Sequence, residues 1–379
     1  MDYRPALRGR TGVGEYIHQL VQACASHGGD EVAVFTSSWK DRPAPGLARE
    51  LGVEVVDRRV PVQVLNYLWH RLEWPPIESL AGPADVVHAA HPLLIPARDA
   101  AQVVTIHDLF FLSAPGQTTA EIRRDYPTLA GPHARRAHAV VTSTEHGKGL
   151  VQDRLSVPAE RIYVCPPGAP AWVTLGRTPN IPNEGYALFL GTLEPRKNIG
   201  TLLNAWQQLV ERGMKGRLVI AGRAPAEARE WLDRIATAPL AGSVTHVGYV
   251  AAADREQLYA GARALVLPSL DEGFGLTALE AMSAGVPLVA SNRGSLPEVT
   301  GGAGILVDPL DVRALGAAIE HVMTDDGFAT ATAEAGLARA RQFTWDRSAA
   351  TLRHVYADAV GRRRRNTGGS SGEARADRG

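Results

Sequence analysis

Cysteine is nearly absent from this 379-residue chain, where only Cys24 and Cys165 occur. Two thiols without metal-ligand spacing give no disulfide framework and no cysteine-held zinc site, and they point to a reduced, cytoplasmic setting. No apolar run approaches the roughly 20 residues a membrane-spanning helix needs, and the opening Met1-Asp-Tyr-Arg-Pro5 lacks the apolar stretch of a secretory signal. An excess of either charge is missing too. Lys plus Arg equals Asp plus Glu at 40 each, which removes the electrostatic footprint of a nucleic-acid binder. Nor does an Asp-x-Asp pair occur anywhere, so a carboxylate-held metal for a diphosphate has no evident seat.

What is there has an ordinary balance, with 45% apolar and 21% charged residues, over a length that favours two domains. Short β-branched runs alternate with amphipathic helical stretches, the pattern of parallel sheets with crossover helices. The first half predicts strands at 31–35, 53–56, 85–88, 103–107, 139–143 and 162–165. The second predicts them at 186–190, 217–221, 244–247, 264–268, 287–290 and 305–307, with helices at 199–210, 254–260 and 275–284. Between them, 166–185 carries five prolines and three glycines and reads as a break in periodicity. The expected fold is α/β, with two doubly wound Rossmann-like domains facing across a cleft: 1–170, then a linker at 171–185, then 186–345. A helix at 346–361 is expected to pack back on the first domain, and 362–379 is expected to be a disordered tail with a solvated arginine run. A doubly wound domain should open on a buried strand, yet the glycine loop Gly12-Val13-Gly14 follows almost at once. Either the chain start lies late or that edge of the sheet is shortened.

The chemistry concentrates at two strand ends, where open α/β sheets bind ligands. The first is Pro268-Ser-Leu-Asp-Glu-Gly-Phe-Gly-Leu-Thr-Ala-Leu-Glu280. A helix opening near Gly275 aims the amides of Phe274, Gly275 and Leu276 outward as an anion site, and glycine at 273 and 275 lets backbone approach a phosphate. Glu272 and Glu280 bracket that site, and ionised carboxylates suit paired sugar hydroxyls. Taken singly, Glu272 reads as a helix cap and Glu280 as a surface charge; the assembled pattern outweighs both. The second is Gly191-Thr-Leu-Glu-Pro-Arg-Lys-Asn198, where Arg196 and Lys197 place positive charge for a diphosphate leaving group.

Together these runs resemble the signature of the retaining GT-B glycosyltransferases of family four, closest to bacterial mannosyltransferase-like members. The seven residues between Glu272 and Glu280 carry the likeness, with Gly191–Asn198 similar to the family's phosphate-binding motif. Thr105-Ile-His-Asp108 is similar to its histidine segment, and Pro166-Pro-Gly168 to the stretch leading into its linker. The resemblance implies that Glu280 binds the nucleotide ribose and Glu272 the hydroxyls of the transferred sugar. It implies that Lys197, helped by Arg196, holds the diphosphate beside Gly191, the 273–276 backbone completing the cradle. His107 would approach the donor sugar, and Gly12, Val13 and Gly14 would line the cleft. Many members carry Arg directly after the glycine, where this chain has Thr192, and Arg196 is the expected substitute. The implied partners are a nucleotide diphosphate sugar and a glycan or lipid-linked acceptor. No cofactor, metal or nucleic acid is expected.

Other readings stay open from sequence. A lone His107 is more often a satisfied core residue, and a glycine pair such as Gly12 and Gly14 more often a turn. His88 and His91 flank a strand end without a third ligand, so no metal is expected there. The stretch 64–74 mixes aromatic and basic residues; it reads first as a partly buried helix, and leaves room for peripheral association with the inner face of a membrane. The rival functions are another GT-B enzyme, an epimerase or phosphorylase, and a non-catalytic nucleotide-sugar-binding partner.

Overall fold

The computed structural model describes residues 1–7, 12–118 and 120–372. The chain divides into two compact units, Met1–Gly168 with Trp345–Gly379, and Ala169–Thr344.

In the first unit every strand pairs in parallel. β1 (Ala33–Ser37) lies beside β2 (Glu54–Arg58), while β3 (Val86–Ala89), β4 (Ala101–Thr105), β5 (Ala139–Thr142) and β6 (Ile162–Val164) form a second set in that order. Residues 1–3 run between the two sets. The Phe35 amide donates to Met1 O and the Tyr3 amide to Phe35 O, each at 2.9 Å, and the Asp2 amide donates to His88 O, also at 2.9 Å. Residues 1–3 therefore lie between β1 and β3 and not at an edge, which corrects the alternative of a shortened edge. The helix Val13–His27 covers one face with Tyr16, Ile17, Leu20 and Val21 buried.

The long helix Trp345–Gly372 returns to that same unit. Leu352 and Val355 are fully buried in its core, each worth about 1.5–3 kcal/mol. Polar ties fix its register: Ser348 Oγ donates to Pro166 O at 2.6 Å, Tyr163 Oη to Asp358 Oδ2 at 2.7 Å, and Tyr356 Oη meets His88 Nδ1 at 2.8 Å. The helix runs beyond residue 361 as far as Gly372, and Arg362 donates to Tyr163 Oη at 2.9 Å. The expected tail thus begins as helix, with part of its arginine run bound; residues 373–379 lie outside the described residues.

The second unit holds one parallel sheet in the order β12-β11-β10-β7-β8-β9. Its strands are β7 (Tyr186–Leu190), β8 (Leu218–Ala221), β9 (Val244–Gly248), β10 (Ala262–Leu267), β11 (Leu288–Ser291) and β12 (Ile305–Val307). Alternate residues face opposite cores. Ala187 and Phe189 pack with the helices Ile199–Glu211 and Val312–Thr324, and Leu188 and Leu190 pack with the helix Leu276–Ala284. The supposed linker is part of this unit. Trp172 Nε1 donates to Ser283 Oγ at 2.8 Å, Thr174 Oγ1 to Glu256 at 2.9 Å, and the Asn180 amide to Gly285 O at 2.8 Å. Among the described residues no helix is long and apolar enough to cross a membrane.

Burial makes the first unit acid-sensitive. His88 is locked between Tyr356 and Thr105, and burial lowers its pKa to about 3; burial likewise lowers His70 to about 3 and His133 to about 4. A folded-state pKa below the unfolded one means that the unfolded chain binds protons first as pH drops below about 6.5. Stability is complete above that value and is expected to fall by up to about 1.4 kcal/mol per pH unit per imidazole down to the folded pKa. Equilibrium unfolding followed between pH 7 and 4 checks this, with His88→Phe expected to flatten the slope.

Candidate active site

In the second sheet the chain leaves β7 towards β8 on one side and β10 towards β11 on the other. The carboxyl ends of β7 and β10 therefore flank the point where strand order reverses, the position at which such sheets form a ligand crevice. Both sequence motifs begin there.

The β7 end is shaped by backbone. A Cβ on Gly222 would lie 1.8 Å from Gly191 O, and Gly222 has φ +145°, so only glycine lets the neighbouring strand end approach. The turn Pro195–Lys197 follows, and Asn198 takes a left-handed conformation before the helix Ile199–Glu211. Asn198 Nδ2 donates to Pro268 O at 3.1 Å and to Pro309 O at 2.7 Å. The Leu270 amide donates to Arg196 O at 2.8 Å, and Arg196 Nη1 to Asp271 O at 3.0 Å. The two motif loops are thus stitched together.

Their charged side chains meet at Glu272, which is buried. Lys197 Nζ lies 2.5 Å from its Oε1 and Arg196 Nη1 3.2 Å from its Oε2, while Ser269 Oγ donates to Oε1 at 2.7 Å. Arg196 Nη2 reaches Glu194 Oε1 at 2.7 Å. Burial alone would raise the Glu272 carboxyl, but the Lys197 and Arg196 cations outweigh it and hold the pKa below the ordinary value. Glu272 is neither a helix cap nor a surface charge. The residue before the helix Leu276–Ala284 is Gly275, at φ +92°, with no side-chain cap. A Cβ on Gly275 would lie 2.7 Å from Leu296 Cδ2, so the start of the helix packs against Leu296 without room for a side chain. Phe274 is buried edge-on to Phe343, with ring centres 5.8 Å apart.

Glu280 lies farther along that helix in a second polar cluster. Arg255 Nη1 is 2.5 Å from its Oε1, and Tyr259 Oη donates to Oε2 at 2.8 Å. Sequence reading missed Ser269, Glu194, Arg255 and Tyr259 as partners. The first two sit inside the quoted motifs. Arg255 and Tyr259 share a helix face at i, i+4, a signal that names no partner for Glu280.

His107 and the loop at Gly12, Val13 and Gly14 belong to the first unit. His107 Nε2 lies 3.3 Å from Ala90 O, and its ring meets Tyr16 edge-on with centres 5.2 Å apart. Tyr16 follows Gly14 on the first turns of the helix Val13–His27, so the glycine loop and the histidine are joined through one aromatic ring. Burial lowers the His107 pKa, which keeps the imidazole neutral at pH 7. A carbonyl only accepts, so Nε2 carries the proton in this contact and Nδ1 is the basic nitrogen. His91 Nε2 turns to Asp2 Oδ2 at 3.1 Å, and among the described residues no cluster of His, Cys, Asp or Glu is placed to hold a metal.

Residues 184–325 match the family model for glycosyl transferases group 1, and residues 10–171 match that for glycosyltransferase family 4. O-antigen chain mannosyltransferase B of Escherichia coli is 33% identical over 371 residues, covering 91% of this chain and 96% of its own length. The chain belongs to glycosyltransferase family 4. Sucrose-phosphate synthase from Thermosynechococcus elongatus shares its fold at TM-score 0.71 and 21% identity, covering 93% and 94% of the two chains. Anabaena HepE, solved in complex with UDP-glucose, does so at TM-score 0.65 and 19% identity over 93% and 96%. The fold is GT-B, and this family-4 member is a glycosyltransferase.

Proposed function

We propose that this glycosyltransferase moves a hexose, with mannose the favoured sugar, from a nucleoside diphosphate donor to a glycan or lipid-linked acceptor with retention of anomeric configuration. It would work in the cytoplasm at the inner face of the membrane, needing no metal or cofactor. The observation that carries this reading is the buried Glu272 carboxylate clasped by Lys197 and Arg196 where strand order reverses. Likeness to a mannosyltransferase supports the sugar.

The chemical task is to break the bond between an anomeric carbon and a phosphate oxygen. Stabilising charge on the departing diphosphate is the largest available term. Lys197 and Arg196 supply cations for it, and the first-turn amides of Phe274, Gly275 and Leu276 add a helix terminus beside Gly273 and Gly191. Glu272 accepts hydrogen bonds from hydroxyls of the transferred sugar, and Glu280 accepts them from the ribose. The sugar passes through an oxocarbenium-like state, and the acceptor attacks from the leaving-group face as the phosphate takes its proton. His107, neutral at pH 7, is the group to which the family resemblance assigns hydrogen bonding with the sugar.

A thermal-shift panel of GDP-mannose, UDP-glucose, UDP-N-acetylglucosamine and the bare nucleotides tests the reading. A ligand that binds the folded state raises its melting temperature by mass action. One donor is expected to shift wild type selectively and Lys197→Ala less. The product anomer, read by NMR, then decides retention. No shift with any donor removes the proposed donor site.

A further inference from the structure

The segment 62–74 has two apolar faces. Its helix Val62–Tyr67 continues as a π-helical turn Leu68–Leu72, and Leu65 and Trp69 are buried in the first unit's core. Asn66 accepts from buried Arg4 at 2.8 Å, and Trp69 Nε1 donates to Pro75 O at 3.0 Å. The inward face is therefore fixed. Outward stand Val64, Tyr67, Leu72 and Trp74, which are 49%, 60%, 59% and 62% exposed. Eleven large apolar residues are exposed among the described residues, and four of them fall within residues 64–74, so this is a patch and not scattered surface.

Cations surround it. Arg58 and Arg59 are exposed just before the helix begins, and Arg71 projects from it. Arg71 and Arg124 both reach Asp125, at 3.0 and 2.6 Å, and Arg136 pairs with Glu73, so the helix Ala120–Arg136 brings its exposed Arg123, Arg124 and Arg136 alongside. Ser37 Oγ donates to Val60 O at 2.9 Å. That contact places the loop carrying Trp39, 73% exposed, next to the helix start.

We propose that this ridge docks the protein on a lipid surface bearing anionic headgroups. Tyr and Trp have the amphipathic rings that settle at the headgroup level, Leu72 and Val64 enter the acyl boundary, and the flanking arginines attract negative phosphates. Charge selects this occupant over a neutral protein face. The proposal rests on the membrane-face reading above for its purpose, but it is tested without donor or acceptor, so either can fail alone.

The test is co-sedimentation of the full chain with vesicles of phosphatidylcholine, with and without phosphatidylglycerol. Binding is expected to the anionic vesicles, to weaken with salt, and to fall by about tenfold or more in Tyr67→Ser/Leu72→Ser/Trp74→Ser. Arg59→Glu/Arg123→Glu keeps the apolar ridge and is expected to lose the preference for anionic lipid. Unchanged melting temperatures certify that both variants fold. Absence of binding by wild type, or equal binding by the triple variant, overturns the proposal. So does a wild-type dimer in light scattering that the triple variant converts to monomer, because the ridge would then serve a second copy.

Discussion

Lys197→Ala is expected to lower turnover by about two to three orders of magnitude, the scale for removing one preorganised charge from a transition-state site. The local charge count explains why the loss should be large. Arg196 and Lys197 stand against Glu194 and Glu272, so the cluster is balanced before any donor arrives. Removing Lys197 leaves two carboxylates facing one guanidinium, and an incoming diphosphate meets net negative charge. Glu272→Gln reverses the balance. It is expected to tighten binding of the bare nucleoside diphosphate while lowering turnover of the sugar donor, since a neutral amide keeps a hydrogen-bonding shape but loses the strong carboxylate acceptors. Opposite signs on nucleotide affinity, with both rates reduced, are the signature of this arrangement. Calorimetry with the bare nucleotide and steady-state kinetics with the sugar donor read the two effects separately. If the two substitutions move nucleotide affinity in the same direction, the cluster is a structural ion pair and the diphosphate binds elsewhere.

Much of this is legible in the sequence. All twelve expected strands exist within a few residues of their predicted bounds, because strands buried on both faces read as short β-branched runs. The motifs at 191–198 and 268–280 were legible because loops at strand ends carry glycine, charge and polar residues in patterns that packing alone does not ask for. What escaped was tertiary. Prolines at 166–182 signal irregular backbone, which alone suggests a linker, whereas hydrogen bonds from Trp172, Thr174 and Asn180 anchor residues 172–180 within the second unit. Whether residues 1–3 lie at an edge or inside the sheet is not visible in so short a stretch before the glycine loop; their interior position follows from bonds to Phe35 and His88. Arg362 was read as solvated because a sequence cannot show that Tyr163 lies beneath it. The carboxylates were found and their partners mostly were not, since Arg255 and Tyr259 reach Glu280 only after two helices pack.

That last pairing governs the second large effect. A ribose accepted by a carboxylate needs the carboxylate held in one rotamer, or each hydrogen bond must first overcome side-chain freedom. Arg255 from one end of Glu280 and Tyr259 from the other supply that restraint, and all three come from two packed helices, Arg255–Ala260 and Leu276–Ala284. Glu280→Ala is therefore expected to weaken nucleoside diphosphate binding by about 1–3 kcal/mol through lost charge-assisted hydrogen bonds. Tyr259→Phe keeps the carboxylate and removes one restraint, so a smaller loss of about 0.5–1.5 kcal/mol is expected. In the double variant Tyr259→Phe should cost almost nothing more, because its effect acts through Glu280. Isothermal titration of the four proteins with the same nucleotide closes the cycle. Additive losses would assign Tyr259 an independent role, and unchanged affinity in Glu280→Ala would place the ribose away from this helix.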